Sequence, residues 1–531
     1  MGSSCQTKCG KELILPNYCR GREPFPYIYI HIYLYHRISL PPFSLSLSKR
    51  SLCMSEQQNL DPQQAVEPKG RPVGGTEYSW CKAVPSGTGI TVLALLLSKP
   101  PDLSFLHNAL HKLQNTHPIL RSKLHSDTTA NTYSYITTPN PHLQIQPFDL
   151  SSTSHILQNL SNPNNSSVSP FHLIVEHELN RNTWYSPDRS SNTDTDVFFA
   201  SVYTLSDDKW VAALRLHTSA CDRTAAVSLL RELLCLMGER DGEGIQRELE
   251  NEVEVSLGIE DCIPSGKANK PFWARGVDMI GYSLNSLRLA NLNFRDVDSP
   301  RSSEVVRLKM NSDDTDRILS GCKSRGIKLC GALAAAGLIA AHSSKSLADG
   351  QWEKYAVVTL TDCRSILDPV LSSHHLGFYH SAILNTHDIK AGEELWELAN
   401  RTYMSFANAK NSNKHFSDMA DINFLMCKAI DNPGLTPSSS LRTSFISVFE
   451  DPVIDHSDES QRDIGVEDYM GCASVHGVGP SIAIFDTVRD GQLDCACVYP
   501  SPLHSREQME ELVHEMKRVL VDGIACVETE S

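Results

Sequence analysis

The sequence predicts a mixed α/β protein organised in two halves. Three observations predict it. Apolar, β-leaning runs of strand length alternate with stretches whose apolar residues recur at helical spacing. A segment that is acidic and then rich in Gly, Lys, Asn and Pro interrupts the alternation over 238–270. Beyond it the alternation resumes. The composition agrees: 531 residues, 40% hydrophobic and 21% charged, with 29 Gly and 28 Pro, exclude collagen-like, mostly disordered and disulfide-scaffold chains.

In the first half, Ile90–Leu97 is a continuous apolar run suited to a buried strand. Asp102 can cap a helix in which Leu103, Leu106, Leu110 and Leu113 recur at helical spacing. That helix ends near His117-Pro118, because proline disfavours helical geometry in the residue before it. Residues 151–169 and 186–196 are rich in Ser, Asn and Asp and read as surface loops. Val197–Thr204 and Lys209–His217 read as strands joined by a hairpin at Ser206-Asp207-Asp208. A helix stripe follows through Ala226, Leu229, Leu230, Leu233 and Met237.

In the second half, Glu304–Met310 is a strand and Asp314–Ser324 a helix. Leu329–His342 is almost wholly apolar, as a helix buried on most sides requires. Tyr355–Thr361, Thr443–Phe449, Ser481–Asp486 and Leu493–Tyr499 are strands, and Glu393–Ala407 is a helix. Ser505 and Gln508 form a capping box before a last helix with an apolar stripe from Met509 to Leu520. The expected organisation is a leader over 1–53, an N-terminal lobe over 54–255, a linker over 256–270 and a C-terminal lobe over 271–531.

The leader is unlike the rest. Residues 27–36 read YIYIHIYLYH and 39–48 read SLPPFSLSLS, which fit translated TA/CA and CT dinucleotide tracts. Residues 1–53 are therefore expected to be non-native or disordered, an untranslated leader read as coding sequence, with Met54 as the natural start. The apolar stretch there is broken by His31 and far shorter than the roughly 20 residues of a membrane span. A cytoplasmic protein with no membrane span is expected.

Lys and Arg total 48 against 63 Asp and Glu, a net charge of −15, so nucleic acid is an unsuitable partner. The 16 Cys are scattered without a CxxC pair, and Cys495 and Cys497 are the tightest spacing. That pattern suits reduced thiols and gives no metal site.

The chemistry-bearing stretch is Arg215-Leu216-His217-Thr218-Ser219-Ala220-Cys221-Asp222-Arg223, between a strand and a helix, where α/β proteins present side chains at a cleft edge. Around it stand Asn115-Thr116-His117-Pro118-Ile119-Leu120-Arg121, Thr361-Asp362-Cys363-Arg364, Leu376-Gly377-Phe378-Tyr379, Gly477-Val478-Gly479-Pro480 and a hairpin about Arg489-Asp490-Gly491. In order and spacing, over roughly 71–525, these resemble the condensation-domain and BAHD-like acyltransferase superfamily of the chloramphenicol-acetyltransferase fold.

The resemblance implies two α/β lobes, each a mixed sheet with helices, and a tunnel between them. An acyl thioester would enter one end and an alcohol or amine the other, with acyl-CoA as co-substrate and no tightly bound cofactor. A monomer is compatible with this, and the sequence does not fix the oligomeric state. The family's His-x-x-x-Asp motif supplies the general base and an Asp that pairs with an Arg. By position that Arg is Arg121, so an Asp222–Arg121 salt bridge is expected.

The motif is degenerate here. His217 and Asp222 have four residues between them, so registering on Asp222 puts Thr218 at the base position. Registering on His217 puts Cys221 where Asp belongs. Adjacent strand residues point to opposite faces, so His217 and Thr218 cannot both face a tunnel without local distortion. Threonine is no base near neutral pH, whereas imidazole titrates near 6.5. The expectation is thus an acyltransferase with His217 as base, or a degenerate relative that binds a thioester or a protein. Ser474 and His476 lie where the family passes a segment over the tunnel, as candidates for an oxyanion or tunnel role. His374-His375 reads as structural, Asp463-Ile464-Gly465 is a faint match to a BAHD motif without its aromatics, Asp486 and Asp490 read as turn and solvent-facing residues, and Cys221 lacks a basic partner.

Overall fold

Three β-sheets carry the fold in the computed structural model, which describes residues 69–160, 168–185, 193–238, 255–271, 273–277, 281, 289–345, 347, 350–456 and 459–529. The leader 1–53, the loops over 161–167 and 186–192 and the acidic run over 239–254 lie outside the described residues.

The first sheet is five-stranded, in the order Val466–Val475, Thr88–Leu97, Lys209–His217, Phe198–Ser206, Ile145–Phe148. The second is seven-stranded: His380–Lys390, Trp352–Asp362, Arg442–Phe449, Gly479–Arg489, Gln492–Ser501 and Ser302–Lys309, with Val453–Asp455 beside Gly479–Arg489. It mixes parallel and antiparallel pairs. A four-stranded sheet of Lys69–Pro72, Thr132–Thr137, Ser122–Asp127 and Thr193–Asp196 completes the set.

The run at Thr88–Leu97 is apolar throughout because both of its faces are covered. Leu93, Leu95 and Leu97 pack against the helices Leu103–Thr116 and Arg223–Gly238. Ile90, Val92 and Ala94 pack the other way, with the helix Pro170–Asn180 and with Val305, Ala483, Ala496 and Val498 of the seven-stranded sheet. The far face of that second sheet is covered by Leu329–Ser343, Leu395–Asn411 and Arg506–Thr529. Gly331 permits the close helix contact there, since a Cβ would stand 2.8 Å from the Ala399 carbonyl oxygen.

One strand crosses between the halves. Val466–Val475 comes from the second half yet pairs antiparallel with Thr88–Leu97, Met470 opposite Ala94. The five-stranded sheet is therefore built from both halves.

Several expectations change. Residues 150–160 form a helix, not a loop: Asp149 Oδ1 accepts from Ser152 N–H at 2.8 Å, and Ile156 and Leu157 pack on the core. Two apolar residues suffice because the remaining faces meet solvent. The stretch expected as a linker, 256–270, is packed chain, with Ile259 and Cys262 buried and Glu260 accepting from Thr76 N–H at 2.6 Å. Ser505 does cap the last helix, accepting from Gln508 N–H at 3.2 Å, but the Gln508 side chain reaches Asn293 instead of closing the box. Among the described residues no single helix is long and apolar enough to cross a membrane.

Candidate active site

The strand Lys209–His217 delivers the site. Along it Leu216 faces the helices, while Arg215 and His217 face the other way. Arg215 pairs with Glu178, its Nε 3.1 Å from Oε2. The His217 ring packs edge-on against Trp184 at 5.2 Å.

His217 is fully buried, and its hydrogen bonds fix its tautomer. Nδ1 accepts from Ser219 N–H at 3.2 Å and sits 2.7 Å from the Ser219 hydroxyl, which in turn accepts from the Tyr135 hydroxyl at 2.7 Å. The proton is then on Nε2, which has no partner among the described residues. Burial pushes the imidazole down to about 3. A base needs a free lone pair, and here the lone pair is already taken.

The chain then enters one 3-10 turn, Thr218–Ala220, with Thr218 on the side opposite His217 as strand alternation requires. Thr218 lines a cavity of about 160 Å³ walled by residues of both large sheets and by the helix Arg223–Gly238; His217 does not. The Thr218 hydroxyl lies 2.7 Å from that of Thr91. The walls are mainly apolar, with Leu93, Phe378, Phe449 and Phe485 among them.

Asp222 ends the turn. Its Oδ1 accepts from Ala225 N–H at 2.9 Å and caps the helix Arg223–Gly238. Its partner is not Arg121. Arg364 grips it from the second half, Nη1 2.9 Å from Oδ2 and Nη2 3.1 Å from Oδ1. Tyr379 N–H donates to Oδ2 at 2.7 Å, and Asp222 N–H donates to the Gly377 carbonyl at 3.0 Å. Arg121 instead donates to the carbonyls of Gln114 and Thr138, both at 3.0 Å, because it folds back onto the electronegative C-terminal end of the helix it follows. Burial alone would raise the Asp222 carboxyl; Arg364, and after it His380, outweigh that and hold it far below its ordinary range.

His380 is the residue that sequence reasoning missed. It opens the strand His380–Lys390, lines the cavity, and holds Nδ1 3.1 Å from Asp222 Oδ2. The nearest signal was its place directly after Leu376-Gly377-Phe378-Tyr379.

The other candidates separate. Ser474 lines the cavity and accepts from Ile90 N–H at 2.9 Å. His476 is not on its wall: Nδ1 meets the Ser303 hydroxyl at 3.0 Å, and burial, with Arg442 beside it, lowers the ring to about 4. His374 is exposed and bonds Ser228 at 2.9 Å. Asp463 is exposed, and its carbonyl accepts from Lys99. Asp490 is an exposed turn residue, but Asp486 is buried against Arg223 at 3.0 Å, a correction to its reading as solvent-facing. Cys221 reaches the cavity wall, but burial raises its thiol, so the thiolate a nucleophile needs is absent.

No family model and no curated protein matches the chain by sequence. Solved structures resemble it in fold. Trichothecene 15-O-acetyltransferase TRI3 from Fusarium sporotrichioides is similar, with TM-score 0.61 at 14% identity over 86% of this chain and 95% of that one. The first condensation domain of the calcium-dependent antibiotic synthetase is similar, with TM-score 0.55 at 14% identity over 86% and 97%. The chain has the condensation-domain fold. The complex of the X-domain and OxyB from teicoplanin biosynthesis also holds a similar chain, with TM-score 0.52 at 15% identity over 89% and 97%. Within this fold the strand-to-helix turn at Asp222 meets the second half through Arg364 and Tyr379, and Thr218 stands beside it on the cavity wall.

Proposed function

We propose that the protein transfers an acyl group from a CoA-type thioester to a hydroxyl or amine acceptor in this cavity. The observation that carries the reading is the cavity itself: a largely apolar chamber walled by two sheets and the helix Arg223–Gly238, with Thr218 and Asp222 on its wall at the turn after a central strand. The apolar walls suit an acyl chain. Ser474, whose Oγ already accepts from Ile90 N–H, can give its own proton to the oxyanion of a tetrahedral intermediate. Acyl-CoA is the diffusible co-substrate and no resident cofactor is needed. The experiment is consumption of acetyl-, hexanoyl- and benzoyl-CoA against a panel of alcohols and amines. Thiol release above the buffer rate supports transfer; buffer-level release with every donor and acceptor ends the reading.

One observation favours a second reading, thioester binding without transfer. Thr218 stands where the motif would put its base, and a missing general base costs about 10²–10⁴ in rate. Calorimetric binding of acyl-CoA without turnover is its signature.

A further inference from the structure

We infer that His380, not His217, is the general base of this site, oriented by Asp222. The inference rests on the transfer reading above and supplies the group that reading lacks. His380 comes from the second half of the chain and lines the same cavity as Thr218. Its Nδ1 faces Asp222 Oδ2 at 3.1 Å. That contact is a close approach of unlike groups outside hydrogen-bond geometry; a small rotation of the ring that turns Nδ1–H onto the carboxylate would leave the Nε2 lone pair for a substrate.

The ring is held from several sides. Phe378 lies 6.3 Å away and Phe449 5.8 Å away, the latter nearly perpendicular. The backbone beside it is anchored to the same carboxylate, since Tyr379 N–H donates to Oδ2 at 2.7 Å. The charged groups facing His380 are Asp222 and Arg364, with Asp362 opposite it in the strand pair and Arg223 over the Phe449 ring. Asp222 is held as a carboxylate on both oxygens by Arg364 and backbone N–H groups, and it presents that negative charge 3.1 Å from His380 Nδ1.

The step balances without another reactant. His380 Nε2 takes the acceptor's O–H or N–H proton as that atom bonds to the thioester carbonyl carbon. The carbonyl π pair moves onto oxygen. Its return expels the thiolate by breaking the C–S bond, and the thiolate takes the proton back from the imidazolium.

The test uses the full chain with water as acceptor, following thiol release from acetyl-, hexanoyl- and benzoyl-CoA, alongside calorimetric binding of the same thioesters. His380→Gln is expected to bind each thioester as the wild type does and to lose about 10²–10⁴ in release rate. His380→Ala is expected to lose the same and to recover in part with added imidazole, which a structural role would not allow. Wild-type release above buffer that is unchanged in His380→Gln overturns this inference and leaves the transfer reading standing. Wild-type release at the buffer rate with water and with every alcohol and amine of the panel overturns both. Carbethoxylation followed by peptide mapping is a readout independent of turnover: modification at His380 that hexanoyl-CoA suppresses supports the assignment, and its absence opposes it.

Discussion

Arg364 and Asp222 meet as a buried, two-pronged ion pair across the two halves of the chain, at 2.9 and 3.1 Å. The planar guanidinium matches the carboxylate edge, which an ammonium cannot do. The same carboxylate caps a helix, anchors Tyr379 and lies 3.1 Å from His380 Nδ1. One side chain thus couples helix, strand and site.

Breaking that pair leaves a buried charge. Arg364→Ala is expected to destabilise the fold by about 3–5 kcal/mol. Arg364→Lys is expected to recover only part of this. Urea midpoints of the three proteins check it, and equal midpoints would refute the coupling.

His217→Gln is expected to leave thioester release per folded molecule within about twofold of wild type, since a general base would cost about 10²-fold or more. Loss on that larger scale would return His217 to the mechanism.

Stability is expected to fall with acid through the buried histidines. His217 sits at about 3 when folded against an ordinary 6.5, so the unfolded chain binds the extra proton. Its contribution is whole above pH 6.5 and declines by about 1.4 kcal/mol per pH unit toward pH 4. His504, lowered to about 3, and His387, lowered to about 4, act in the same sense. Asp222 adds its loss only below about pH 4, where an unfolded Asp takes up protons. Urea midpoints at pH 7, 6 and 5 measure this, and His217→Gln is expected to flatten the slope.

The apolar cavity is expected to reward chain length. Each added methylene that it buries contributes roughly 0.8 kcal/mol, about fourfold in affinity, until the space is full. Ser447→Phe, on the wall, is expected to weaken binding of a hexanoyl thioester about tenfold or more while the far-ultraviolet spectrum stays native. Equal affinity in both proteins would place the acyl chain elsewhere.

The sequence exposed the elements whose period is self-sufficient. Lys209–His217 lies at its expected bounds, and Asp102 caps the helix Leu103–Thr116 by accepting from Ser104 and Phe105. The helices Leu150–Leu160 and Pro170–Asn180 were hidden, the first by its Ser and Asn content, although Ser169-Pro170 is a legible N-terminal signal. Alternation allows only one of His217 and Thr218 to face the cavity, and it is Thr218 that lines it. Arg364 and His380 could not be paired with Asp222 from spacing, because long-range contact leaves no local period. Arg121 was chosen on position alone, and position does not say which way a guanidinium folds.

The crossing strand Val466–Val475 has a consequence for biosynthesis. Until it is translated, Thr88–Leu97 presents an unpaired apolar margin of ten residues that any other extended peptide can extend. The nascent chain carries that hazard through most of its synthesis, so chaperone demand is expected to peak late on the ribosome. A product stopped short of residue 466 is accordingly expected to appear in inclusion bodies.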